Sequence, residues 1–147
     1  MSATEAAHAT CIAFDGHGVL LRGPPGSGKS DLAARAIDAG ARLVADDRVT
    51  LVRRSVSIVA SAPLSIRGMI ELRGLGILRI DAEEESPLAL VADLVAPDRI
   101  ERLPEPDRCV LLGIDLPLVR LAPFEASALT KLRFALAGAL APDRWVR

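Results

Sequence analysis

The sequence predicts an α/β fold with a P-loop-containing core: a mixed sheet, a helix after a phosphate-binding loop, and a C-terminal helix. Three observations lead to this prediction. Residues 23–30 read Gly-Pro-Pro-Gly-Ser-Gly-Lys-Ser, a complete G-x-x-x-x-G-K-[ST] sequence. Short apolar runs typical of strands precede and follow it. Near the end of the chain, apolar residues recur at helical spacing, at Leu129, Leu132, Leu136 and Leu140.

Size and composition exclude several classes of protein. The chain has 147 residues, of which 50% are hydrophobic. That is enough for one core but not for two, so we predict a single domain over residues 1–147. The formal net charge is −1 and aromatic residues make up 3%, so neither a basic surface nor stacking rings favour a nucleic-acid partner.

The cysteines and the apolar runs indicate in which cellular compartment the protein lies. Cys11 and Cys109 stand alone in apolar segments without C-x-x-C spacing, which predicts buried, reduced thiols rather than a disulfide or a zinc site. No apolar run is long enough to cross a bilayer, and the amino terminus does not resemble a signal peptide. The sequence therefore predicts a cytoplasmic protein with no membrane partner.

The segments on either side of residues 23–30 predict a strand, a loop and a helix. Residues 10–14 and 18–22 are apolar runs separated by Asp15-Gly16-His17, which predicts a hairpin with a tight turn. The second strand leads directly into the loop. A helix is predicted from Lys29 to Ala39, because apolar residues recur there at helical spacing and Gly40 follows as a stop.

The remainder of the chain predicts further strands and the second helix. Residues 81–85 are expected to form an acidic surface turn, and residues 97–107 a charged loop with three prolines. A one-sided helix predicted from Phe124 to Leu140 should close the core. The other predicted strands are 42–45, 49–52, 56–60, 70–80 with glycines interrupting it, 88–95, 109–112 and 118–121.

The glycine-rich segment suits a nucleotide. Glycines let successive backbone N–H groups turn towards a phosphate, and the following helix N-terminus adds a partial positive charge. Lys29 would reach the β and γ phosphates, and the Ser30 hydroxyl would bind Mg²⁺. The alternative is a glycine turn that happens to precede a helix. The predicted ATP-binding residues are Gly23, Pro24, Pro25, Gly26, Ser27, Gly28, Lys29 and Ser30.

Two adjacent carboxylates form the second candidate feature. Asp46 and Asp47 follow the first strand beyond the predicted helix, where a P-loop fold brings groups opposite the γ-phosphate and its metal. An acceptor hydroxyl needs a base within hydrogen-bond reach as phosphoryl transfer begins. The alternative is a solvated turn or a helix N-cap.

Three segments together resemble the bacterial HPr kinase/phosphorylase family. They are residues 23–30, Arg-Leu-Val-Ala-Asp-Asp-Arg-Val at 42–49, and Glu-Leu-Arg-Gly-Leu-Gly-Ile at 71–77. The similarity runs in order from about residue 8 to about residue 103. It implies a P-loop kinase that uses ATP and Mg²⁺ to phosphorylate a serine of HPr, the phosphocarrier protein of the sugar phosphotransferase system, or of a nitrogen-branch relative. Many members also remove this phosphate, and members form hexamers, so the resemblance implies a homo-oligomer.

The resemblance also implies a role for each matching residue. His8 corresponds to the family's histidine before the P-loop strand and would hydrogen-bond the acid pair. Asp47 matches the proton acceptor for the serine hydroxyl, and Asp46 would be its partner, steering His8 or the metal. Glu71 matches a magnesium ligand, and Arg102 matches a catalytic arginine that neutralises charge on the transferred group. Without the resemblance, His8 would be an incidental surface or core residue, and Glu71 and Arg102 would be surface residues. His17 is expected to be an exposed turn residue without a role.

The chain departs from the family pattern in three ways. It has no counterpart of the family's amino-terminal domain, so the catalytic domain is expected to stand alone. The acidic run 81–85 replaces a longer glycine-rich segment, which affects target docking, phosphate removal and oligomer geometry. Pro24-Pro25 stands where the family typically has Asp-Ser, and because these positions contribute backbone geometry, nucleotide binding should survive.

Two other functions remain open from the residues alone. A small-molecule kinase on the same scaffold is compatible with the acid pair, because function depends on the site rather than on the fold. A nucleotide-binding sensor without catalysis is compatible with the shortened chain. Transfer to a metabolite, or ATP binding without turnover, would distinguish these from a protein kinase.

Overall fold

The chain forms a mixed α/β fold in which a curled sheet packs against two helices. The computed structural model describes residues 3–146. The helices in this range are α1 (Lys29–Asp38) and α2 (Ala128–Leu140), with short 3-10 turns at Leu64–Ile66, Pro97–Arg99 and Pro142–Arg144. The strands are β1 (Thr4–Ala7), β2 (Ala9–Phe14), β3 (His17–Arg22), β4 (Arg42–Ala45), β5 (Val49–Arg54), β6 (Ser57–Ser61), β7 (Met69–Leu72), β8 (Gly76–Arg79), β9 (Glu85–Leu94), β10 (Asp107–Leu111) and β11 (Ile114–Leu121).

The order of the strands brings several strand ends to one edge of the sheet. The order is β1-β5-β6-β9-β3-β2-β4, and β11, paired with β10, joins β9. Strand β9 runs parallel to both β3 and β11. Because β2 is antiparallel to both β3 and β4, strand β4 runs in the same direction as β3. Strands β3, β4, β9 and β11 therefore all end at one edge, which we call the loop edge. In open α/β sheets, ligands bind outside the carboxyl ends of the strands.

The sheet is buried on both faces at its centre. Side chains alternate along a strand, so Val19 and Leu21 face the helices while Leu20, between them, faces the opposite layer. All three are fully buried. The helix side also contains Leu32 of α1 and Leu132 of α2. Burial on both sides holds β3 rigidly, and β3 delivers the chain to residues 23–30.

The hairpin before the loop has the predicted tight turn. Phe14 pairs with His17, which leaves Asp15 and Gly16 as a two-residue connection. Both have positive φ, 49° and 80°, as a type I′ turn requires. The predicted hairpin is therefore confirmed.

Helix α1 stops where the sequence predicts. Gly40 has φ 109°, and its N–H donates to the Ile37 carbonyl at 3.0 Å while the N–H of Ala41 donates to the Ala36 carbonyl at 2.9 Å. This pair of bonds is the Schellman motif, which needs a left-handed residue after the helix. Gly40 supplies that conformation.

Other predicted boundaries were wrong. The second helix begins at Ala128 rather than Phe124, because residues 122–128 form successive turns after Pro123. The segment 70–80 is a hairpin of β7 and β8 rather than one strand. Strand β1 was not predicted: its side chains are mostly exposed and it pairs only with β5 at the end of the sheet order, so it carries little apolar signal.

Among residues 3–146, no helix is long and apolar enough to cross a membrane.

The two thiols differ in their surroundings. Cys11 is fully buried in β2, and burial raises the pKa of its thiol to about 12. Cys109 lies on β10, which pairs only with β11, so its thiol is half buried, and this burial also raises its pKa. Both are free cysteines. The expectation of a buried thiol is met fully at Cys11 and only in part at Cys109.

This difference predicts selective thiol chemistry. With an aromatic disulfide reagent at pH 8, Cys109 should react and Cys11 should stay protected until the protein unfolds, because the thiolate is the nucleophile. Absorbance of the released thiol measures both rates. A Cys109→Ser variant should lose the fast phase. A fast phase that persists in this variant would contradict the burial of Cys11.

Candidate functional site

Residues 23–30, which we call the glycine loop, connect the end of β3 to α1 at the loop edge. Gly26 and Gly28 have φ 80° and 99°, a conformation that other residues adopt only with strain. A Cβ atom on Gly28 would also lie 3.0 Å from the Phe124 ring and from Pro123. Gly28 is thus required by its conformation and by close packing. Helix α1 begins at the next residue, so its free N–H groups and partial positive charge face the loop.

The glycine loop has the properties of an anion site. The Lys29 ammonium donates to the carbonyl oxygens of Gly23 at 2.6 Å and Pro24 at 3.1 Å, which holds the charge against the loop. The Ser27 hydroxyl oxygen is buried and has no hydrogen-bond partner within residues 3–146. A buried hydroxyl without a partner is costly, so this atom fits an oxygen supplied by a ligand.

An ion pair fixes the base of the glycine loop. The Arg22 guanidinium, one residue before the loop, donates to both carboxylate oxygens of Asp93 on β9, at 2.7 and 3.0 Å. The hydrogen bond to Asp93 raises the pKa of Arg22 above its ordinary value. Both side chains are about one-third exposed or less, so solvent screens the pair only in part. Its two parallel hydrogen bonds hold β3 and β9 in register where the loop begins.

Asp46 is the centre of the hydrogen-bond network beside the loop. The residue is only 6% exposed. Its Oδ1 accepts hydrogen bonds from the hydroxyls of Thr10 at 2.9 Å and Ser30 at 2.7 Å. Its Oδ2 accepts from the backbone N–H of Glu71 at 3.0 Å. The carboxylate therefore joins β2, α1 and β7. Within residues 3–146 no cationic side chain pairs with it, so its negative charge is available to a bound cation.

Asp47 is not part of this network among the described residues. Its φ is 68°, rare for a residue other than glycine, and its side chain is exposed. The N–H of Arg48 donates to the Asp46 carbonyl at 2.8 Å, which closes a tight turn around Asp47. Strained backbone of this kind is concentrated at functional sites. One acid is thus buried against the loop while its neighbour is held in solvent beside it.

The β7–β8 hairpin approaches the glycine loop from a third side. Glu71 contacts Asp46 through its backbone, and its own side chain is exposed. The Arg73 guanidinium lies 4.0 Å from the position of a Cβ atom on Gly26. Arg73 itself was not predicted to lie beside the loop, although it is part of the Glu-Leu-Arg-Gly segment singled out in the sequence.

Two predicted residues lie apart from this network. His8 is exposed at a bend between β1 and β2, and within residues 3–146 it makes no hydrogen bond to Asp46 or Asp47. His8 is exposed at this bend, and a donor to Asp46 comes from Thr10 instead. Arg102 lies exposed in the loop after Pro97–Arg99 and has no ion pair in the described chain. Their catalytic roles stay predictions.

Thr10 was missed by the sequence reasoning, although a signal for it exists. It is the one polar side chain in the run Ala-Thr-Cys-Ile-Ala-Phe of β2, and it is fully buried. A buried hydroxyl in an apolar strand needs a partner, so its presence indicates a nearby polar group. Asp46, 36 residues later, is that group.

The oxygen atoms around Asp46 suit a Mg²⁺ ion that shares its coordination with phosphates and water. They do not form a site in which protein side chains supply every ligand. Ser30 and Asp46 supply hydroxyl and carboxylate oxygens, which are hard ligands. The part of the chain from 3 to 146 has no group of three or more His, Cys, Asp or Glu residues arranged to hold a metal. Mg²⁺ is usually bound by one or two protein ligands together with substrate phosphates and water, and this arrangement matches that pattern.

The chain resembles known proteins over most of its length. Residues 1–120 match the family model described as the HPr Serine kinase C-terminal domain. The HPr kinase/phosphorylase of Chlorobaculum tepidum is 35% identical over 138 residues, covering 85% of this chain and 40% of that protein. The HPr kinase/phosphorylase of Bordetella pertussis is 36% identical over 118 residues, covering 73% of this chain and 38% of that protein.

A solved structure agrees with these relatives. The Hpr(Ser) kinase/phosphatase from Coxiella burnetii has a TM-score of 0.83 and 26% identity, over 95% of this chain and 99% of that chain. The chain spans 38–40% of the length of the two curated relatives above. The match of the family model over residues 1–120, with the same fold in a solved relative, establishes that this chain belongs to the HPr serine kinase C-terminal domain family.

Proposed function

We propose that this protein is an ATP- and Mg²⁺-dependent protein kinase that phosphorylates a serine of HPr or of a nitrogen-branch relative, and so regulates the phosphotransferase system and carbon metabolism. Family membership supports the kinase class. The observation that carries the chemistry is the 2.7 Å contact between Ser30 and Asp46 beside the ammonium of Lys29. It brings a metal-binding hydroxyl, the carboxylate that orients it and a phosphate-binding cation to one helix N-terminus.

The triphosphate is bound by the glycine loop. The backbone N–H groups of the loop, the N-terminus of α1 and the Lys29 ammonium all belong to this segment, and each favours negative charge there. Lys29 would exchange its carbonyl partners for the β and γ phosphates, which accept stronger, charge-assisted hydrogen bonds. Arg73, beside Gly26, adds a second cation to the same site.

The metal would be held by Ser30, with Asp46 behind it and Glu71 beside it. When bound, Mg²⁺ neutralises charge on the β and γ phosphate oxygens. Asp46 accepts the hydrogen bond of the Ser30 hydroxyl, which turns the oxygen lone pairs of Ser30 outward to the metal. The backbone N–H of Glu71 is hydrogen-bonded to Asp46, and its exposed carboxylate would serve as a further metal ligand.

Asp47 would be the base. The serine oxygen of the target forms a bond to the γ-phosphorus, the bond from that phosphorus to the β–γ bridging oxygen breaks, and ADP leaves. The hydroxyl proton passes to the Asp47 carboxylate, which its turn holds in solvent where a protein substrate can reach it. His8 and Arg102 would act after a rearrangement of their exposed segments, His8 by orienting the acid pair and Arg102 by neutralising charge on the transferred group.

The protein would act in the cytoplasm as a homo-oligomer, a hexamer by resemblance to the family. The β7–β8 hairpin supports association, because Leu75 and Ile77 are 71% and 64% exposed. Apolar side chains exposed together on a hairpin are typical of contact surfaces.

The base is tested by the variant Asp47→Asn. It should reduce the rate of phosphoserine formation on HPr from labelled ATP and Mg²⁺ by about 10²–10⁴-fold, the usual contribution of a general base, and leave ATP affinity unchanged. Asp15→Asn is the matched control, because Asp15 is also an exposed aspartate with positive φ but lies at the opposite end of β3. Equal rates for the Asp47 variant and the wild type would refute the assignment of the base.

The same assay tests the target. Wild-type protein that transfers phosphate to a metabolite and not to HPr would replace this proposal with a small-molecule kinase. Saturable ATP binding without transfer to any acceptor would replace it with a sensor.

The network around Asp46 is tested by Thr10→Val. This change removes one of three donors to a buried carboxylate, so the free energy of unfolding should fall by about 1–3 kcal/mol. Affinity for ATP should fall more with Mg²⁺ present than without it, because Asp46 loses its fixed orientation. Denaturant unfolding and calorimetric titration measure the two effects.

The control for this variant is Thr50→Val on β5. The Thr50 hydroxyl makes no hydrogen bond within the described chain, and Thr50 also lies in a strand. If both variants lose the same stability and bind Mg²⁺ and ATP alike, Thr10 has no special role.

A further inference from the structure

A cavity opens beside the glycine loop on the side away from Asp46. Its volume is about 680 Å³, within the range of small-molecule sites. Pro24 and Ser27 of the loop form one wall. The segments that follow β9 and β11 form the others, so the cavity lies at the loop edge where three parallel strands end. It therefore shares Pro24 and Ser27 with the predicted phosphate site.

The lining is apolar with a charged rim. Asp98 and Arg99 are the charged residues of the lining, and both are exposed. Ser27, whose buried hydroxyl has no hydrogen-bond partner in the described part of the chain, lies on the wall shared with the loop. An apolar surface with a few polar groups is the usual chemistry of a site for a heterocyclic ligand. The apolar lining includes Leu94, Val95, Pro97, Ala122, Pro123 and Phe124.

Phe124 is the feature of this cavity that points to a base. The chain has three Phe and no Tyr, and this ring is 70% exposed. Its edge packs against the backbone of Gly28 in the loop, at 3.0 Å from the position of a Cβ atom there. The segment that carries it is fixed, because Arg35 of α1 donates a hydrogen bond to the Pro123 carbonyl. A fixed aromatic ring beside a phosphate site offers a stacking surface that every nucleobase can use.

The position of the acids sets the direction of a bound nucleotide. Ser30 and Asp46 lie towards β4 and β2, on one side of β3, whereas the cavity lies towards β9 and β11, on the other. A triphosphate in the glycine loop with its terminal phosphate at Asp46 therefore directs its sugar and base into the cavity.

We propose that this cavity is the nucleoside subsite, in which the base stacks on Phe124 and the ribose hydroxyls lie at the rim formed by Asp98 and Arg99. This inference rests on the proposed function, because it concerns the nucleotide of the same site. It adds residues outside the glycine loop to the determinants of ATP affinity. Stacking requires only the faces of the base, so the affinity gained at Phe124 is absent for a ligand that has phosphates and no base.

The test compares ATP with inorganic tripolyphosphate, which lacks base and ribose. In calorimetric titrations, Phe124→Ala should weaken ATP binding about tenfold or more, the usual effect of removing one stacking ring, and leave tripolyphosphate binding unchanged. Phe124→Tyr should bind ATP as the wild type does. Phe134→Ala is the matched control, because Phe134 is 74% exposed on α2 and does not line the cavity.

A spectroscopic measurement reports the contact directly. In Phe124→Trp, ATP should quench the fluorescence of the new indole and tripolyphosphate should not, with the wild type, whose single Trp is Trp145, as the blank. ATP binding equal in Phe124→Ala and the wild type, or an equal loss for ATP and tripolyphosphate, would overturn the subsite while the proposed kinase function stands. Wild-type protein that binds neither ligand would overturn both.

Discussion

The arrangement of the site depends on one buried carboxylate. Asp46 accepts hydrogen bonds from Thr10 on β2, Ser30 on α1 and the backbone of Glu71 on β7. These three elements also pack together through the apolar core, which includes Ile12, Leu32 and Ile70, and Asp46 joins them beside the glycine loop. Removing a donor leaves a buried charge short of partners, which costs more than the bond itself contributes. The bond to Ser30 also sets how that hydroxyl faces the loop, so stability and chemistry rest on the same atom.

The order of the strands places the other parts of the site side by side. Strand β3 runs parallel to β4, β9 and β11, so the acids, the glycine loop and the apolar cavity lie side by side at the ends of these strands. A long ligand with a charged end and an apolar end fits this order. The pair formed by Arg22 and Asp93 keeps two of the strands in register where the loop begins. Family membership agrees with this geometry, and the shared fold of a solved relative extends over nearly the whole chain.

The parts that the sequence predicted are those with local signals. The turn at Asp15 and Gly16 and the helix stop at Gly40 depend on residues that tolerate positive φ, and these can be read directly from the chain. The start of α2 was misplaced because apolar spacing does not reveal the turns after Pro123. Contacts between distant segments, such as Thr10 with Asp46 and Phe124 with the glycine loop, needed the folded chain. His8 was assigned by resemblance, and a bend in the backbone turns it outward.

The most direct test of this account is a structure of the protein with Mg²⁺ and a non-hydrolysable ATP analogue. The account predicts the metal about 2.1 Å from the Ser30 hydroxyl oxygen, the usual Mg²⁺–oxygen distance, with Asp46 still hydrogen-bonded to that hydroxyl and the terminal phosphate facing Asp47. A nucleotide bound elsewhere, or a metal remote from Ser30 and Asp46, would contradict it.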